Sequence, residues 1–369
     1  MKKRTALLSL LLAAALIVGA FAAGGGADDP LVSLDYLQNV FAPKAEKAAQ
    51  EKLDASGGAA YAAAEAKWRA AVDAKVAALN SKPDVWGETR VKGGDTLTAP
   101  TGAQFILLAG EAAGSCSAGA VVDVTDGTEF SAATALVPNH RYLVAEDAAA
   151  LFAITSRTAV VLYCGGVLSR SGSAPDCNAM ADALKSLSLF RGTGSGVGSG
   201  YELERAPTRV EALVMLIRML GEENEALASA AAHPFRDVPA WADRYVAYAY
   251  ERGYTNGVSA TEFAPALDAN AGMYVEFVLR ALGYSDTTQT DVSTAADRAL
   301  GANVITAGEH QALSANVFLR ADAVYLSWYA LGVPLPGGLQ PLHEKLEAAG
   351  VFSAAAYDAA RALVTTPRL

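Results

Sequence analysis

Four kinds of hydrophobic spacing follow one another along the chain, and each predicts a different architecture. Residues 6–18 form a short apolar run behind the basic Lys2, Lys3 and Arg4 and ahead of Ala20-Phe21-Ala22. That pattern predicts an export signal over 1–22, with the processed chain starting near Ala23. The competing reading, a membrane anchor, calls for about 20 apolar residues, and this run gives way earlier to Ala23-Gly24-Gly25-Gly26. Over 30–82, Leu31, Leu34, Leu37 and Phe41 recur at helical spacing, Ser56-Gly57-Gly58 interrupts, and Trp68, Val72, Val76 and Leu79 resume it. This predicts an alanine-rich helical hairpin. Over 84–170 the spacing shortens to runs at 105–108, 121–124, 142–144 and 158–162 between turn residues, the pattern of a small all-β domain. Asp126-Gly127 marks a hairpin there, because both residues tolerate positive φ.

The helical period returns over 176–333, and there the sequence repeats three times, over 176–228, 233–285 and 290–333. Aligned on Gly221, Gly283 and Gly332, the apolar positions fall into columns: Leu213, Val275 and Val324; Leu216, Val278 and Ser327; Ile217, Leu279 and Trp328; Leu220, Leu282 and Leu331. These are i, i+3, i+4 and i+7 positions, one buried helix face written three times. A shorter helix precedes each, ending in a turn at 189–192, 254–257 and 304–307. One such pair cannot bury its apolar face alone, so three packed about a common axis are expected. Residues 339–364 add a last helical pattern with Leu342, Leu346, Val351 and Leu363 as packing positions. The expected fold is therefore multidomain: a three-repeat α-helical bundle, a small all-β domain and an N-terminal helical hairpin.

The chemistry concentrates where the second helix of a repeat begins. Thr208 and Glu211 have the spacing of a capping box, with the hydroxyl on the backbone of Glu211 and the carboxylate on the N-cap amide. Arg209, at the first helical position, then stands beside amides carrying roughly half a positive charge. A planar anion, a carboxylate above all, suits that volume. The competing reading is an arginine in an internal salt bridge, and the middle repeat has Ala271 at the position.

Composition narrows the function classes. Lys plus Arg total 29 against 39 Asp plus Glu, a net charge of −10, which argues against nucleic acid as a partner. With 52% hydrophobic and 18% charged residues the chain is a folded one. Cys116, Cys164 and Cys177 make no CxxC or Cys/His cluster, so no structural metal is expected; a Cys164–Cys177 disulfide is one option, and spacing does not decide it. The glycine-rich 192–200 lacks the Lys-Ser/Thr of a phosphate loop, GxSxG and HExxH are absent, and His140, His233, His310 and His343 lie in unrelated segments. Neither catalysis nor a cofactor is expected. Asp123 and Asp126 flank a hairpin and read as solvated turn acids rather than calcium ligands. After the signal no stretch is apolar enough to enter a membrane, and no lipid-attachable cysteine or sortase-type ending is present, so retention at the cell is expected to be non-covalent.

Phe235-Arg236-Asp237-Val238-Pro239-Ala240-Trp241-Ala242, then Gly253-Tyr254-Thr255-Asn256-Gly257 and Phe263-Ala264-Pro265, together with Thr208-Arg209-Val210-Glu211, resemble S-layer homology (SLH) repeats. The resemblance covers 176–333. It implies a three-repeat helical bundle on an exported protein of a Gram-positive-type envelope. It also implies attachment to secondary cell-wall polysaccharide, often bearing pyruvate ketals, and admits other surface-layer proteins as partners. Carried over position by position, the ligand-contacting arginine falls on Arg209 and Arg320 and the loop glycines on Gly192 and Gly257, while Asp237 and Trp241 take the places of the family's aspartate and tryptophan. Trp241 covering a sugar ring competes with Trp241 in the core, at i, i+4, i+7 with Tyr245 and Tyr248. Ala271, Met273, Leu319 and Ala307 depart from the pattern, which predicts a weak or silent middle groove and makes the Arg209 groove the leading one. The alternative function is a structural scaffold of a surface layer whose repeats no longer bind glycan.

Overall fold

The computed structural model describes residues 37–48, 50–52, 63–64, 66–71, 85–145, 149–194, 197–288, 291–338 and 340–369. It divides into two units, 1–78 and 79–369. In the first, a π-helical turn at Leu37–Phe41 runs into α-helix to residue 48, and 50–52, 63–64 and 66–71 are helical, with Phe41 and Trp68 exposed. The segment 1–22, the Ser56-Gly57-Gly58 break, and Leu31, Leu34, Val72, Val76 and Leu79 of the expected hairpin lie outside the described residues.

The second unit opens with antiparallel strands: β1 (Gly87–Lys92), β2 (Thr96–Ala99), β3 (Gln104–Ala109), β4 (Ala112–Cys116), β5 (Ala120–Asp123), β6 (Thr128–Phe130), β7 (Thr134–Ala135), β8 (Arg141–Ala145), β9 (Ala150–Ile154), β10 (Thr158–Cys164) and β11 (Val167–Ser169). They form two sheets, ordered β1-β10-β3-β8-β5-β6 and β11-β2-β9-β4-β7. Alternate residues point inward, as in the buried Phe105 and Leu107 of β3 and Phe152 and Ile154 of β9, so the two inner faces share one core. Phe105 stacks on Phe152 at 4.5 Å between the sheets. The β5–β6 hairpin turns through Asp126-Gly127, with Gly127 at φ +70°. Cys116, Cys164 and Cys177 are all buried and none forms a disulfide, so the Cys164–Cys177 option is not taken.

Helices follow: α1 (Cys177–Ser186), α2 (Arg209–Met219), α3 (Glu223–Ala228), α4 (Asp243–Glu251), α5 (Ala271–Leu282), α6 (Ala295–Gly301), α7 (Ala307–Ala315), α8 (Arg320–Ala330), α9 (Leu342–Ala348) and α10 (Ala354–Leu363). Helices α2, α5 and α8 pack against one another, and every residue of the four aligned columns is buried. Tyr274 on α5 and Ser327 on α8 share a buried hydrogen bond of 2.7 Å. The third repeat differs from its expected layout. Where the first two have a glycine turn, Thr306 and Glu309 form their own capping box and start α7. Residue 307 thus begins a helix instead of ending one.

The strands and helices of this unit are tied at β1. Arg90 grips Asp182 of α1 through two hydrogen bonds of 3.1 and 2.8 Å and lies over the ring of Tyr201, whose hydroxyl donates to the same carboxylate. Asn178 donates to the carbonyl of Val91, and the N–H of Gly198, late in the glycine-rich loop, donates to Glu88.

Candidate anion-binding cleft

Arg209 is set by strictly local chemistry. Thr208 accepts the N–H of Glu211 at 3.4 Å and Glu211 accepts the N–H of Thr208 at 2.9 Å, closing the capping box. Arg205 clamps the Glu211 carboxylate at 2.8 and 2.7 Å. Burial alone would raise the Glu211 carboxyl, but the Arg205 guanidinium and the Thr208 N–H outweigh it and hold it at about 2. The amides of this helix end are already engaged: Arg209 N–H donates to the carbonyl of Leu267 and Val210 N–H to that of Pro265. The expected partnership of guanidinium with free helix amides is therefore corrected, because the main chain of the next repeat has taken them. What remains open is the side chain.

Arg209 is 5% exposed, and its guanidinium carbon lies 5.0 Å from the centroid of the Phe263 ring and 5.3 Å from that of Phe277. One Nη donates to Thr255 Oγ1 at 3.4 Å, near the limit of a hydrogen bond, and Nε has no partner. Among the described residues no carboxylate pairs with it. Burial, reinforced by the neighbouring Arg280 cation, lowers its pKa to about 10. The internal salt bridge weighed as the competing reading is absent.

Arg209 lines a cavity of about 430 Å³ with Asn256, Gly257, Ser259, Glu276 and Arg280. Gly257 sits at φ +76°, and a Cβ there would lie 2.3 Å from the Phe235 ring, so only glycine brings this loop so close. Arg280 donates to Glu276 at 2.8 Å and to Asn256 at 3.2 Å. Glu276 is also taken by Arg298. Two guanidinia thus face the cavity against one carboxylate that is already shared, and the cleft is electropositive. Arg280 was not among the expected site residues: in sequence it reads as a last-turn cation complementing the helix dipole, and only the packing of α5 on the 255–257 loop brings it beside Arg209.

The other expected residues are placed elsewhere. Arg320 is 3% exposed, and its Nε donates to the carbonyl of Tyr201. Gly192 is folded against Gly200, whose carbonyl oxygen would lie 2.5 Å from any added Cβ. Asp237 accepts the N–H groups of Phe263 and Ala264 at 2.8 and 2.7 Å, fastening the loop whose phenyl ring covers Arg209. Trp241 is 59% exposed and is neither core nor part of the cavity lining, whereas Tyr245 and Tyr248 are buried. Of the expected set, the cleft brings together Arg209 and Gly257. At Ala271 the middle repeat opens on a further cavity of about 710 Å³ whose lining holds no basic side chain.

In the β sandwich, Asp123, Asp126 and His140 bring three ligand-type atoms within 4.8 Å of one another. Asp126 is exposed, as a turn acid should be, but Asp123 is buried and accepts the N–H of Thr125 at 2.9 Å while pairing with His140 at 2.8 Å. It is the hub of the turn.

Residues 234–269 match the family model of the S-layer homology domain. The chain carries an S-layer homology domain. The matched SLH segment spans α4 and the loop holding Asp237, Trp241, Thr255, Gly257 and Phe263, which is the loop side of the cleft; α2 and α5 bring Arg209 and Arg280 to it. A cell surface protein of Thermoanaerobacter kivui is 33% identical over 116 residues, 31% of this chain and 15% of that protein. The match thus spans a small part of the relative's length.

Proposed function

We propose that this is a non-catalytic protein of the cell surface, held without covalent linkage to an anionic, pyruvylated secondary cell-wall polysaccharide, and that the Arg209 cleft is its point of attachment. In this reading the pairs α1/α2, α4/α5 and α6/α8 are three SLH repeats about one axis. One observation carries it: a buried guanidinium with an unpartnered Nε, beside a second guanidinium and at the wall of an open cavity. Buried charges are ordinarily paired, so this one is complete when an anion enters. A carboxylate meets the planar guanidinium edge with two parallel bonds, which suits the unpartnered Nε side. Arginines in such a cleft hold charge and transfer no proton near neutral pH.

A charge-assisted hydrogen bond contributes about 1.5–3 kcal/mol, so one cleft holds weakly. Many chains on one polymer strengthen retention through avidity. The test is sedimentation of the whole chain with purified cell walls, before and after chemical removal of pyruvate, for the wild type and Arg209→Ala. Loss of binding in both cases supports the reading. A second reading, a surface-layer scaffold whose repeats no longer bind glycan, is favoured by Ala271 and by the closed Arg320; binding indifferent to both treatments selects it.

A further inference from the structure

The Arg209 cavity does not end at its own walls. Val292 lines it and also lines the 710 Å³ cavity at Ala271, and the consecutive Gly272 and Met273 of α5 face one cavity each. The two therefore meet across the first turn of α5. The contact is close: a Cβ on Gly272 would lie 2.3 Å from the Val292 carbonyl oxygen.

Their chemistry is opposite. At Ala271, the position aligned with Arg209, a methyl group stands in place of a guanidinium. The lining instead offers carboxylates on Asp268 and Asp291, hydroxyls on Ser293 and Ser314, and amides on Asn270 and Asn316. The two amides are oriented by the backbone. Asn270 uses its oxygen to accept Met273 N–H at 2.9 Å, which leaves its NH₂ to donate, and Asn316 uses its NH₂ on the Ala312 carbonyl at 2.8 Å, which leaves its oxygen to accept. At the rim Val317 is 76% exposed, beside the buried Phe318. A carboxylate is repelled here. An uncharged sugar is matched: vicinal hydroxyls find acceptors and donors together, and a C–H face of the ring finds Val317.

We propose that this second cavity is a subsite for an uncharged sugar unit of the same polymer whose carboxylate-bearing unit sits at Arg209. The inference rests on the reading of the Arg209 cleft as a glycan site. Together the cavities read a charged and a neutral unit side by side, so the middle repeat, instead of being silent, sets the preference for what flanks the acidic sugar.

The experiment is titration calorimetry on the full chain with a pyruvylated monosaccharide glycoside and with the same unit carrying one or two neutral sugars. Wild type is expected to bind the extended ligands about tenfold more tightly, the effect of one or two neutral hydrogen bonds. Ser314→Trp, which fills the cavity from an exposed position, and Asp268→Ala, which removes an exposed acceptor, are expected to reduce that ratio to about one and leave the monosaccharide affinity unchanged. Equal affinities for short and extended ligands in the wild type overturn the proposal. So does an unchanged ratio in both variants, or tighter binding when the flanking sugar carries a free amino group. Failure of the wild type to bind even the charged monosaccharide overturns the Arg209 reading itself, a distinguishable result.

Discussion

Replacing Arg209 by methionine is expected to abolish wall binding while leaving the fold as stable as before or more so. The guanidinium is held at about 10 against an ordinary 12.5, first by burial and then by Arg280. At 1.36 kcal/mol per pKa unit the fold carries on the order of 3 kcal/mol of destabilisation from keeping this group charged. Phe263 and Phe277 return part of it, about 0.5–2 kcal/mol per cation–π contact, and a methionine recovers some of that through sulfur–aromatic contact, about 0.3–1.5 kcal/mol. The net expectation for Arg209→Met is a change between zero and about 2 kcal/mol of added stability. An arginine in a buried ion pair would instead cost 3–5 kcal/mol on removal, roughly, because its partner is left uncompensated. The sign follows from linkage: between about 10 and 12.5 the unfolded chain binds the proton and the native one releases it, so the penalty is full at neutral pH and fades above pH 10. Urea unfolding of both proteins at pH 7 and pH 11, beside wall sedimentation, measures all of this. A loss of about 2 kcal/mol or more in the variant at pH 7, or retained wall binding, would refute the reasoning.

Three further outcomes are expected. Gly257→Ala forces a Cβ into the Phe235 ring at a φ that disfavours it, which should cost on the order of 1–3 kcal/mol in denaturant titrations and weaken wall binding by displacing the loop. Arg320→Met should lower stability, because the Tyr201 carbonyl loses its Nε donor, and should leave ligand affinity within about twofold, read from the same sedimentation curves. At the β5–β6 turn the hydrogen bond that His140 donates to Asp123 raises the histidine above its ordinary 6.5, while burial of Asp123 is outweighed by His140 and two backbone N–H groups, leaving it below 3.8. The histidine's contribution is complete below 6.5 and lost as pH rises through its folded value; the aspartate's is complete above 3.8 and lost as pH falls through its own. The pair is strongest between those limits, and an NMR titration of His140 should show its pKa fall in Asp123→Asn.

What could be read from the chain was whatever is set by near neighbours in sequence. The columns from Leu213 to Leu331 are buried as their spacing requires, and Thr208–Glu211 caps α2 because the box closes within one turn. The same local logic was available at Thr306-Ala307-Gly308-Glu309, whose Thr-x-x-Glu spacing begins α7 where the repeat pattern suggested a turn. Trp241 was aligned with Tyr245 and Tyr248 by helical period, but α4 starts at Asp243, so the period does not extend back to it and its ring faces solvent. The pairing of eleven strands into two sheets, the use of the α2 amides by Leu267 and Pro265, and the approach of Arg280 to Arg209 all join segments far apart in sequence. No spacing rule carries that information.

The hydrogen bonds at the helix starts separate what folds this region from what binds there. Arg209 and Val210 donate their N–H groups to Leu267 and Pro265, and Arg320 and Ala321 donate theirs to Arg205 and Leu203. In both places backbone meets backbone, so the contact needs no particular side chain at the first helical position. Helix α5 makes the point from the other side: Ala271 stands there, Asn270 caps the helix on Met273, and the buried face beyond is as complete as in α2. A buried cation whose helix start the fold builds equally well on Ala271 is explained, on the proposed reading, by what it meets and not by what it supports. On the proposed reading, the partner that completes Arg209 is negative and planar at the point of contact.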